Sequence, residues 1–184
     1  QTATQLDLTA QSLYTLSDQT KRIAASLDTD VNLYLLALRS NEDDTISRLL
    51  QSYAELNRHI HVSNVDPTEQ PTFLDAYDLD INQLYANSVL VDGGGRSRLV
   101  SYSDIYVTDY SMNYSTYQYD TSTSFDGENA LTNAIHYVSS QNLPKVYQLT
   151  GHGESELSDR MEELLAGDNV ETETLSLLSM ESVP

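Results

Sequence analysis

Val31–Leu38 reads VNLYLLAL, a run so nearly continuous in apolar side chains that it predicts a strand buried on both faces. Such a strand needs helices packed over its sheet, and the neighbouring sequence supplies them. Thr15–Asp28 places Leu16, Ile23 and Leu27 at broadly helical spacing, with Ser17 as the expected N-cap and Thr20 and Lys21 in the first turn. After the run, NEDD opens a second helix whose Ile46, Leu49, Leu50, Tyr53 and Leu56 share one face. Ile60–Asp66 alternates as a strand and stops at Pro67.

The next clear signal is SVLVDGGGRSRLVSY, two β-rich runs around a glycine turn, which reads as a hairpin. Ahead of it, Pro71–Tyr85 suggests a helix around TFLDAYDL and then a loop. Asp126–Gln141 is a further helix, with Ala130, Leu131, Ala134, Ile135 and Val138 inward and Asp126 near its cap. A βαβ unit followed by a ββα unit is the thioredoxin-like order, a mixed sheet with helices on both faces. In that arrangement the redox site lies just after the first strand. Here the place holds ALRSNEDD, and the chain contains no cysteine, so thiol–disulfide exchange is excluded. NLP at Asn142–Pro144 reads as a linker. KVYQLT, ESELSDRMEELLAG and VETETLSLL then read as strand, helix and strand, the opening βαβ of a Rossmann-like domain. The expected division is therefore 1–141 and 142–184, the second part incomplete.

Charge narrows the partners. With 28 acidic against 9 basic residues the chain carries a net charge of −19, and its cations form no patch. A nucleic-acid surface needs a basic stripe, so that partner class is not expected. There is no signal peptide at Gln1 and no closing element after SMESVP, and the natural protein is expected to extend in both directions.

Five fragments together point to a family: LDLTAQSLYTLSDQTKRIAASLD, VDP at 65–67, SVLVDGGGRSRLV, FDGENALTNAIHYV and KVYQLTGHGESEL. In this order the chain resembles the GldG-like auxiliary components of ABC transport systems, the gliding-motility type. The resemblance implies an extracytoplasmic piece of a membrane-anchored protein, and the lack of a competent nucleophile makes a non-enzymatic role the expectation. The resemblance also implies a thioredoxin-like first domain and the start of an amidotransferase-like second. The implied partners are ABC permease and ATPase subunits and a cell-envelope ligand, with no cofactor and no metal.

Several places could bear chemistry. In LTGHGESEL, Gly151 and Gly153 would let a ligand approach the backbone, while His152 could act as acid or base and Glu154 could orient it. A hydrolase using His152 and Glu154 is one alternative; no nucleophile accompanies them, and Ser155 lacks a G-x-S-x-G elbow. Otherwise the glycines shape a tight strand-to-helix turn. His59 and His61 flank Ile60 and would face one side of a strand, with Asp66 as a guess for a third ligand. Arg96 and Arg98 are expected on one exposed face of the hairpin. Tyr106, Tyr110, Tyr114 and Tyr117 belong to a tyrosine-rich connection between the hairpin and the Asp126–Gln141 helix, suited to protein contacts or sugar stacking. A glycan- or peptide-binding envelope module using that connection is the other alternative.

Overall fold

The computed structural model describes residues 15–113, 118–151, 153, 155 and 157–176. The chain divides into two compact units, Gln1–Ser139 and Ser140–Pro184.

In the first unit, helix α1 (Asp18–Ala25) starts at Ser17, whose hydroxyl accepts the Thr20 N–H. Strand β1 (Val31–Leu36) follows, then α2 (Asp44–Ala54), capped by Asp43 through the Thr45 and Ile46 N–H groups. Strand β2 (Ile60–Val65), the short helix α3 (Pro71–Asp75) and the hairpin β3 (Ser88–Gly93) and β4 (Arg96–Val100) come next. The hairpin turns on Gly94 and Gly95, at φ of 59° and 79°, as a two-residue turn with both central residues left-handed requires. The unit continues with a helical turn α4 (Tyr102–Ile105), strands β5 (Tyr106–Asn113) and β6 (Gln118–Phe125), and helix α5 (Gly127–Ser139).

Four strands form one mixed sheet in the order β2-β1-β3-β4. β1 runs parallel to β2 and antiparallel to β3, and β3 is antiparallel to β4. With helices between and after the strands, this is a mixed α/β sheet of thioredoxin-like topology.

Alternation along β1 divides its side chains between two cores. Val31, Leu33 and Leu35 join Val89 and Val91 of β3 on one face, beneath α1, α2 and α5. Leu36 and Leu90 lie on the other face with Leu74, flanked by Tyr34, Phe73 and Tyr77. There the Tyr34 and Phe73 rings meet edge-on with centroids 4.8 Å apart.

A buried polar chain crosses the first core. The Tyr53 hydroxyl donates to the Glu128 carbonyl (2.9 Å) and lies 2.6 Å from the Thr132 hydroxyl, which lies 2.9 Å from that of Thr20. Thr20 donates to the Glu128 carboxylate at 2.6 Å, and the Ser17 N–H reaches the same oxygen at 2.7 Å. Burial opposes the Glu128 charge, but these donors outweigh it and hold its carboxyl below the usual range. Burial pushes the Tyr53 phenol well up. The chain joins α1, α2 and α5, three helices that apolar contact alone would allow to slide.

In the second unit, β7 (Lys145–Thr150) pairs in parallel with β8 (Glu171–Ser176), with α6 (Asp159–Gly167) between them. Asn169 takes the left-handed conformation at the helix end, and the Val170 N–H closes on the Leu165 carbonyl at 2.8 Å.

Tyr53→Phe leaves Thr132 without its strongest partner at a site 1% exposed, so it is expected to cost about 1–2 kcal/mol in denaturant unfolding, with an unchanged slope. The 28 acidic residues face only 9 cations, and that self-repulsion is screened by salt. The thermal midpoint is therefore expected to climb from millimolar to molar NaCl; a flat or falling midpoint would contradict this.

Candidate functional site

A thioredoxin-like sheet carries its chemistry where the chain leaves β1. Here that loop is held by side chains rather than armed with them. The Arg39 N–H donates to Asp66 at 2.9 Å, and its guanidinium pairs with Glu69 at 2.7 Å. Asn87, left-handed at φ 65°, accepts the Asp43 N–H at 2.7 Å and donates to the Asn41 carbonyl at 3.1 Å. Beside the loop, at the carboxyl ends of β1 and β2, lies an apolar cavity of about 180 Å³ lined by Leu36, Leu38, Pro67, Thr68, Ile81 and Leu84 among others. Its one hydroxyl, on Thr68, donates to Asp66 at 2.7 Å. The cavity can accept an apolar group, and its lining offers no acid, base or activated nucleophile.

His59 and His61 do share a side, and the group they meet is Asp30, not Asp66. The Asp30 carboxylate lies 2.8 Å from Nδ1 of His59 and 3.3 Å from Nε2 of His61. Hydrogen bonds from His59 first, then His61, hold its carboxyl below the usual range. Asp66 sits at the other end of β2, committed to Arg39 and Thr68. Asp30 was hidden from the sequence because it precedes β1, and only the parallel β1–β2 pairing brings it to the histidines. Among the described residues no three His, Asp or Glu side chains are arranged to hold a metal ion.

The two hairpin arginines share a face but are not simply exposed. Arg98 stacks 3.9 Å from the Tyr137 ring centroid and Arg96 lies 5.6 Å from it, with a guanidinium bond to the Tyr137 carbonyl at 3.2 Å. Tyr137 on α5 is the partner that hairpin patterning could not reveal.

The tyrosine-rich segment holds the largest departure from the sequence reading. It is a β-ribbon rather than a connection: β5 and β6 pair in register from Tyr106↔Phe125 to Asn113↔Gln118. The register gives the ribbon two unlike faces, because directly paired residues point the same way. One face carries Tyr106 with Phe125, Thr108 with Thr123, Tyr110 with Thr121 and Met112 with Tyr119. The reverse carries Val107, Asp109, Ser111, Asp120, Ser122 and Ser124.

The aromatic face starts in the core and runs out into solvent. Tyr106 packs against Tyr102 and Phe125 at centroid distances of 4.8 and 5.2 Å, and its hydroxyl reaches both Asp43 oxygens at 3.2 Å. Burial, with the Asp43 charge, pushes its phenol up to about 12. Farther along, Tyr110 and Tyr119 are 73% and 72% exposed, and Met112 is 37% exposed. Tyr106 is thus an anchor and Tyr110 an outward surface, while Tyr114 and Tyr117 lie outside the described residues. The signal for the ribbon was present in the spacing: aromatic residues, threonine and methionine occupy every second position from Tyr106 to Met112 and from Tyr119 to Phe125, favouring strands.

In LTGHGESEL, Gly151 and Gly153 take φ of 118° and 86°, so the chain leaves β7 through conformations open mainly to glycine. His152 and Glu154 lie outside the described residues.

A thioredoxin-like sheet with no thiol, bearing an aromatic ribbon, defines a small α/β domain distinct from the redox carriers that share its topology. The chain belongs to the family described as Domain of unknown function (DUF7088), whose model matches residues 10–108. No curated protein matches the sequence. Among solved structures it is similar to the alkylhydroperoxide reductase protein AhpF from Enterococcus faecalis, at 16% identity over 88% of this chain and 77% of that one, with a TM-score of 0.44. It is also similar to ERdj5, at 14% identity over 94% of this chain and 23% of that one, with a TM-score of 0.36.

The loop after β1 generates an acid-dependence prediction. Hydrogen bonds from the Thr68 hydroxyl, then the Arg39 N–H, lower the Asp66 carboxyl from 3.8 to about 2. A depressed carboxyl stabilises fully above its unfolded value, and the contribution disappears as pH falls through the folded one. The Arg39 and Thr68 amide signals are expected to shift together with a midpoint at about 2, and Asp66→Asn to abolish that shift. An Asp66 midpoint at the ordinary carboxylate value would mean the loop is not held.

Proposed function

We propose that this chain is a non-enzymatic binding component: the extracytoplasmic part of a membrane-anchored accessory protein that works beside the permease and ATPase subunits of an ABC transport system. The observation that carries the binding role is the ribbon. A two-stranded ribbon is barely stable alone, yet this one is built out from the core on Tyr106 and Phe125 and presents Tyr110, Met112 and Tyr119 to solvent. Exposed aromatics on a rigid support suit protein contact, since they bring large area with little rotamer entropy to lose.

The transport assignment is supported by the five sequence fragments that resemble GldG-like auxiliary components. On the same reading, the β7–α6–β8 unit is the opening of a Rossmann-like, amidotransferase-like second domain, and GHGE is a shaped strand exit. No helix among the described residues is long and apolar enough to cross a membrane, so on this reading the anchor lies elsewhere in the natural protein. A non-catalytic role agrees with the absence of cysteine and with the apolar lining of the cavity beside β1.

The test is crosslinking and affinity purification of the full-length anchored protein from its native membranes. The permease and ATPase are expected to copurify, and Tyr110→Ser with Tyr119→Ser to lower their recovery about tenfold or more. Recovery of neither subunit would remove the transport reading, and recovery indifferent to both tyrosines would remove the ribbon from it.

A further inference from the structure

We propose that the ribbon's aromatic face docks a protein surface whose apolar centre is ringed by lysine and arginine. The inference rests on the reading of the ribbon as a binding surface and adds the chemistry of its partner.

Three observations carry it. First, Tyr110, Met112, Thr121 and Tyr119 share one face of the ribbon by register, and this face continues outward from rings that pack on the core. An exposed apolar strip of this kind needs an apolar counterpart. Second, the formal charge in the sequence that carries it has one sign. From Leu99 to Pro144 the sequence contains no lysine or arginine, while Asp104, Asp109, Asp120, Asp126 and Glu128 all fall within it. On the ribbon, Asp109 and Asp120 occupy the reverse face and are exposed. Third, the nearest cations in sequence, Arg96 and Arg98, are stacked on Tyr137 and attached to the hairpin.

These facts decide among occupants. Nucleic acid and anionic lipid headgroups meet repulsion from every formal charge in the segment. A second copy of the chain brings another −19 to the contact, with like-signed ribbons side by side. A partner with a cationic rim gains from the same field, which steers its approach and suppresses wrong partners, while its apolar centre covers the tyrosines.

The experiment uses the whole chain at low ionic strength and four probes. Three are synthetic strand peptides alternating leucine with lysine, with glutamine or with glutamate. The fourth is vesicles of phosphatidylcholine mixed with phosphatidylglycerol. Self-association is followed in parallel by sedimentation.

Tyr110→Ser with Tyr119→Ser serves as the discriminating variant. It leaves the net charge unchanged, and both rings are largely exposed, so an unaltered unfolding midpoint confirms that the fold is kept. The expected result is binding of the lysine peptide, weakened about tenfold or more in the tyrosine variant. Asp109→Asn with Asp120→Asn is expected to reduce binding of that peptide and its salt dependence.

Tyrosine-dependent binding that favours the glutamine or glutamate peptide would overturn the cationic partner while leaving the ribbon as a binding surface. Lysine-peptide binding equal in wild type and tyrosine variant would be diffuse attraction to an acidic protein, overturning both. Binding of vesicles, tyrosine-dependent dimerisation, or no binding to any probe would also overturn the proposal.

Discussion

Everything in the first unit is arranged around one strand whose aliphatic side chains never meet water. β1 pairs with neighbours of opposite sense, β2 parallel and β3 antiparallel, and Val31, Leu33, Leu35 and Leu36 are each 0% exposed. Both neighbours satisfy its backbone groups, which would be costly to bury unpaired. Its alternation assigns Val31, Leu33 and Leu35 to the helical face and Leu36 to the side covered by α3, so one register decides two cores. A slip of one residue would exchange the two sets and expose the polar Asn32 to the α2–α5 core.

The helical face could still pack in more than one way, since aliphatic contacts tolerate sliding. The chain Tyr53–Thr132–Thr20–Glu128 removes that freedom by giving each hydroxyl a partner on another helix. α5 is the shared member, carrying Glu128 and Thr132 inward to α1 and α2 and Tyr137 to the hairpin arginines. The same helix begins directly after β6, where the Asp126 N–H bonds the Ile105 carbonyl at 2.8 Å. The base of the ribbon is therefore tied into the core by main chain as well as by Tyr106 and Phe125.

This placement connects stability to the proposed role. The cavity beside β1 is lined by apolar groups, and its bordering loop is held by Asp66, Glu69 and Asn87. What faces outward is the aromatic strip, packed on the core at its base and carried by a segment with acidic but no basic residues. On the proposed reading, a scaffold with this division of labour acts by presenting that surface.

Apart from α4 and the ribbon strands β5 and β6, the order of helices and strands in the first unit, the hairpin turn and most of the first core were legible in the sequence, because each depends on local periodicity and on glycine or proline at turns. Ser17 caps its helix, and Ile46, Leu49, Leu50 and Tyr53 are buried, as the spacing alone implied. The absence of thiol chemistry was decided there too, since no fold can supply a thiol the chain lacks. Tertiary structure alone decided which distant groups meet: Asp30 with the two histidines, Tyr137 beneath Arg96 and Arg98, and Thr20 with Thr132. It also decided that the tyrosines pair into a ribbon with Tyr106 inward and Tyr110 outward. The physical reason is that strand pairing and packing across a core depend on residues far apart in the chain, and local preference carries no record of their register.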